Sequence, residues 1–142
     1  MTHRSRVCCA AAVALFGMTL QAADKPPDDF VKAMKEAAAF VQEMSKPDAE
    51  FNFARTKQYV PIVRDAFAVV ERYWLDRNQE GHYFKDIALA EEMIKLASDM
   101  GVAANLESPE GIKSSVQELS SRCKVCHDLR REQGPDGFLI KN

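Results

Sequence analysis

The chain has little cysteine: 4 residues in 142, two adjacent at Cys8-Cys9 and two near the end at Cys123 and Cys126. That count excludes a small fold stapled by a disulfide framework. Long apolar runs are also missing. The most apolar stretch, Val7 to Leu20, is shorter than the ~20 residues a membrane-spanning helix needs. Alternation of β-branched with polar residues is scarce, so no strand is expected. There is no basic stripe, which excludes nucleic acid as a partner class. Internal repeats and low-complexity tracts are absent. Histidine is scarce, at 3 residues. No grouping of acid, base and nucleophile suggests catalysis, and an enzyme is not expected.

What is present starts with an uneven N-terminus. His3, Arg4 and Arg6 give a basic start, Val7 to Leu20 an uncharged apolar run, and Leu20-Gln21-Ala22 a small-residue end. This is the pattern of a secretory signal peptide over 1–22, cut after Ala22. An uncleaved anchor is the alternative. Export places the rest of the protein in the periplasm. Cys8 and Cys9 leave with the signal, and no lipoprotein-type sequence precedes either. Losing Arg4 and Arg6 takes the 19 basic residues to 17, against 21 acidic, for a net charge of −4. Residues 23–142 make one domain of ordinary size.

Within that domain four stretches carry a helical period. The first covers Asp28 to Ser45, with Phe30, Met34, Ala37, Val41 and Met44 spaced alternately by four and three. Pro26-Pro27 precede it and Pro47 follows. The second covers Asp48 to Asn78, with Val60, Val63, Phe67, Val70 and Trp74 on one face. Pro61 inside it predicts a kink or two abutting helices. The third covers His82 to Met100, with Ile87, Ala90, Ile94 and Ala97 inward and Gly81 and Gly101 as stops. The fourth opens at Ser108-Pro109, an N-cap with proline in the first helical position. Its stripe is Ile112, Val116, Leu119, Cys123 and Cys126. Gly134-Pro135 ends it, Asp136-Gly137 makes a turn, and Phe138, Leu139 and Ile140 form an apolar tail able to fold back. The expected fold is all-α: an up-down-up-down antiparallel four-helix bundle.

Cys123-Lys124-Val125-Cys126-His127 is a C-x-x-C-H, the attachment pattern of haem c. Two thiols one helical turn apart can bond the two vinyl groups of one porphyrin, and the following imidazole can reach the iron. Both cysteines extend the apolar seam of the fourth helix, so one covalently bound haem would lie along its inner face. Three other readings compete. A zinc-stabilised interaction bundle needs a fourth ligand beyond Cys123, Cys126 and His127. A dithiol redox motif usually sits in a thioredoxin-like βαβ unit, absent here. The last is a chance match leaving buried free thiols.

With His127 as the proximal ligand, the residue on the other face decides the function. Methionine there gives a six-coordinate iron suited to electron transfer with other redox proteins. An apolar residue leaves the position open to a small gas such as NO or CO. Met34 lies on the inner stripe near the start of the first helix, at the end where the fourth helix finishes. Met44 lies ~15 Å further along. Met34 is the candidate distal iron ligand, and the alternative is a flexible core filler. His82 is a weaker candidate, otherwise a surface or cap histidine. Tyr73, Trp74, Tyr83 and Phe84 are core aromatics or line the haem edge. Arg130 and Arg131 are candidates for propionate contacts, the alternative being helix-dipole complementation.

Cys123-Lys124-Val125-Cys126-His127-Asp128 followed by Arg131, close to the end of the chain, resembles the class II cytochromes c, the cytochrome c′ family. The resemblance extends more thinly through the four-helix pattern, Trp74-x-Asp76 and Phe84. It implies a distal residue on the first helix, where Met34 falls, and so a low-spin Met34/His127 haem used for electron transfer. It also implies that a homodimer through bundle helices would be in keeping with the family, although no second apolar face stands out. The chain departs from the pattern in four places. Arg130 stands where the family has an aromatic, and Phe30 where it has an arginine near the propionates. The region between the second and third helices is about one turn longer, and the tail after Arg131 is longer than is typical.

Overall fold

In the computed structural model, residues 23–45, 52–135 and 137–142 are described. The expected signal peptide, the expected start of the second helix at Asp48 and residue Asp136 lie outside them. Four long helices make up most of the chain: α1 (Asp28–Met44), α2 (Phe53–Arg77), α3 (Phe84–Asn105) and α4 (Pro109–Arg130). A single 3-10 turn, Asn78–Glu80, joins α2 to α3, and two short strands, β1 (Arg131–Gly134) and β2 (Gly137–Ile140), follow α4. No helix among the described residues is long and apolar enough to cross a membrane.

Local chemistry accounts for the helix starts. Asp28 and Asp29 in the first turn of α1 complement its dipole. The Asn52 side chain accepts the Arg55 N–H at 2.9 Å and caps α2. Ser108 does the same for the Gly111 N–H at 3.2 Å, with Pro109 opening α4.

Two abutting helices at Pro61 are not what forms: α2 runs as one helix through it. Pro61 and Lys57 are both exposed, so the Lys57 carbonyl that loses its helical donor can turn to water. The expected stop at Gly101 is also overturned, since α3 continues to Asn105. A Cβ on Gly101 would lie 3.1 Å from a Val60 methyl, so this glycine lets α2 and α3 approach closely. Just before α3, Gly81 adopts φ +77°, the left-handed conformation that stops the 3-10 turn.

The absence of strands was the other wrong expectation. α4 ends at Arg130 rather than at Gly134, and β1 pairs with β2 antiparallel, Arg131 opposite Ile140. Four-residue strands carry too little alternation to show in a sequence. The apolar tail does return to the helices: Ile140 is buried in the core. Its backbone exchanges hydrogen bonds with Asp24 at 2.9 and 2.8 Å, tying the first described residues to the last. Arg77 holds the Asp24 carboxylate and the Asn142 side chain at the same corner.

The core is continuous, with Trp74, Phe40, Phe67, Met93, Met100, Ile112 and Leu119 essentially inaccessible. Each such side chain contributes roughly 1.5–3 kcal/mol relative to exposure. Consecutive helices share the large interfaces, α2 with α3 most of all, while α1 and α4 share only a thin one. The inward face of α1 is rotated from the expected stripe. Ala33, Ala37, Phe40 and Val41 are buried, whereas Phe30, Met34 and Met44 flank them, half-buried.

Candidate functional site

The last two turns of α4 carry the motif. Ile112, Val116 and Leu119 are buried on its inner face, and Cys123 continues that row against the core. Cys123 and Cys126 are both free and half-buried, one turn apart. Burial pushes both thiols up to about 11. For Cys126 the Asp86 carboxylate and Cys123 push the same way, and Arg130 opposes them. Both sulfurs therefore stay protonated at neutral pH. His127 is more exposed. Partial burial, and then the Arg131 cation, lower its pKa against an opposing pull from Asp128, which favours the neutral ring with a free lone pair.

Beside the thiols lies a part-buried ion pair that joins α3 to α4. Arg130 donates from Nε to Asp86 Oδ1 at 2.8 Å and from Nη2 to Oδ2 at 2.7 Å. Asp86 is 1% exposed. The Arg130 guanidinium lies 5.4 Å from the Trp74 ring centre and 4.9 Å from that of Tyr83. Those rings stack at 5.3 Å, Tyr73 meets Trp74 edge-on at 4.9 Å, and Phe30 meets Tyr73 at 4.7 Å. An aromatic shelf thus runs from α1 through α2 to the start of α3. One signal for Asp86 was available: it lies four residues before Ala90, on the apolar face of α3, where a carboxylate needs a partner.

The remaining candidates are distributed. Met34 packs against the core from α1. Arg131 points to the hairpin, over the Phe138 ring. His82 is exposed and faces Glu80 at 3.2 Å. Phe84 is 68% exposed and leaves the shelf. A groove of about 510 Å³ opens on the N-terminal half of α2, lined by Asn52, Arg55, Tyr59 and neighbours. It lies roughly 20 Å along the helix from Trp74 and shares no residue with the motif.

Three buried polar atoms lack a hydrogen-bond partner among the described residues: Tyr73 Oη, Trp74 Nε1 and Arg122 Nε. Arg77 lies over the face of the Tyr73 ring at 4.9 Å, close enough to oppose the rise that burial gives the phenol's pKa. Native proteins rarely leave such donors unsatisfied. Two of them belong to the aromatic shelf, and an acceptor-rich ligand there would satisfy them. Paired half-buried thiols, a neutral imidazole next to them, an aromatic shelf and orphaned donors fit a haem with its two carboxylates. No group of three or more His, Cys, Asp or Glu side chains among the described residues is arranged to hold a bare metal ion. No family model matches the chain, and neither a curated protein nor a solved structure matches it.

Proposed function

We propose that this chain is a periplasmic monohaem c-type cytochrome that passes single electrons between redox proteins. The observation that carries the reading is Cys123 on the inner seam of α4 with the half-buried Cys126 one turn further on, followed at once by His127. Each thiol would add across one vinyl group. The sulfur bonds one vinyl carbon, the thiol proton passes to the other, and no electrons are left over. His127 would hold the iron on the proximal side and Met34 on the distal side. Haem supplies a one-electron ferric/ferrous couple when bound. The helices would form an antiparallel up-down-up-down bundle of the cytochrome c′ type, and the thin contact between α1 and α4 suits a group entering there.

One feature weighs against the zinc bundle: no further donor set joins the thiols among the described residues. A second haem reading has an observation in its favour. Ala33 and Ala37 occupy the buried centre of α1 while Met34 stands at the flank. If the small residues face the iron, the sixth position is open and NO or CO binds there.

Absorption spectra of the exported holoprotein separate these readings. A pyridine haemochrome of the two-thioether type is expected, with low-spin ferric and ferrous spectra that turn high-spin in Met34→Ala. No haemochrome would reject the haem. High-spin spectra unchanged by Met34→Ala would reject electron transfer through Met34 in favour of the gas-binding form.

A further inference from the structure

Asp86 is the one charged residue in the buried set among the described residues. Taking a carboxylate and a guanidinium out of water is costly, and an apolar pair of similar volume would pack α3 to α4 as well or better. Stability alone therefore does not account for it. The pair joins residues 44 positions apart, from the first turn of α3 to the last turn of α4. Both oxygens of Asp86 are used, and two aromatic faces flank the guanidinium, so neither charge can swing away. Both charges are felt at Cys126.

On the haem reading above, we infer that Asp86 is a positioning residue that locks Arg130 as a neutralised cation beside the Cys126 attachment point, and thereby holds the reduction potential of the iron between the values either charge alone would impose. The sign follows from charge. Oxidised iron carries one more positive charge than reduced iron. A bare buried cation nearby disfavours the oxidised form and raises the potential, and a bare carboxylate lowers it. Burial keeps salt from screening either effect. With both groups present and bidentate, the two fields largely cancel.

Spectroelectrochemical titration of haem-loaded protein tests this. Asp86→Asn is expected to raise the potential, Arg130→Gln to lower it, and the double variant to return towards the wild-type value. A purely structural role would loosen the site in both single variants, admit water and shift both potentials in the same direction; that result overturns the inference. Should a single variant fail to accumulate, D86N/R130K and D86N/R130Q make the same comparison, since both lack the carboxylate and only the first keeps a cation. The first should lie above the second, and equal potentials overturn the inference. A wild-type preparation without a pyridine haemochrome removes the haem reading and this inference together. Same-sign shifts in a haem-loaded preparation remove this inference alone.

Discussion

The middle of the molecule and the end that carries the motif are built by different rules. In the middle, Val63, Phe67, Met93, Met100, Ile112 and Leu119 meet as apolar surfaces, and the polar groups buried along α4 there are Ser115 and Arg122 Nε. Thr56, buried further along α2, bonds its hydroxyl to the Asn52 carbonyl at 3.1 Å. At the motif end a buried carboxylate, a stacked guanidinium, two half-buried thiols and orphaned Tyr73 and Trp74 donors share a small volume. A core built only for stability would not keep these groups. The contrast teaches that one end is arranged for something beyond packing.

The strongest way to break this comparison is to remove the thiols. C123A/C126A should lose all covalently held haem while keeping its helices. Haem staining on a denaturing gel and far-ultraviolet circular dichroism would check both halves. If the fold collapses with the haem, the motif end is structural after all. Next in size, Leu119→Ala in the middle should cost ~2–5 kcal/mol by denaturant unfolding, because the close-packed site cannot collapse around the cavity. Against it stands an apolar replacement of the ion pair, D86L/R130M, which should leave the unfolding free energy within ~1 kcal/mol of wild type or above it. A large loss there would show that the pair serves stability.

The last test concerns pH and the chain before haem is attached. The thiols go from an ordinary value of 9.0 up to about 11 in the folded state. The unfolded chain therefore gives up these protons first, and stability should fall as pH rises from about 9 to 11. His127 has the opposite sign: its lowered folded value means that stability falls as pH drops below its ordinary value of 6.5. Thermal melts of wild type and C123A/C126A across this range would check it, since only the first should show the alkaline loss.

The helices were legible because their signals are local. Ser108-Pro109 marks a start whatever packs on it, and the alternation of three and four from Ile112 to Cys126 describes a single helical face. What was misread depended on neighbours. Gly101 looks like a stop until Val60 lies against it. The α1 stripe turns towards Ala33 and Phe40 because small residues admit closer packing than a row of large ones. The β1–β2 hairpin depends on Ile140 finding the core. The partner of Arg130 comes from another helix: Asp86 lies opposite it.

The sequence by itself determined that Cys123, Cys126 and His127 sit within little more than one turn of one helix, because helical pitch alone fixes residues three and four apart. Only the tertiary structure decided what surrounds them. Asp86, Trp74 and Tyr83 come from other helices, and no local rule brings them to Arg130. Packing does, by burying the apolar faces around them and leaving their polar groups to find one another or to wait for a partner.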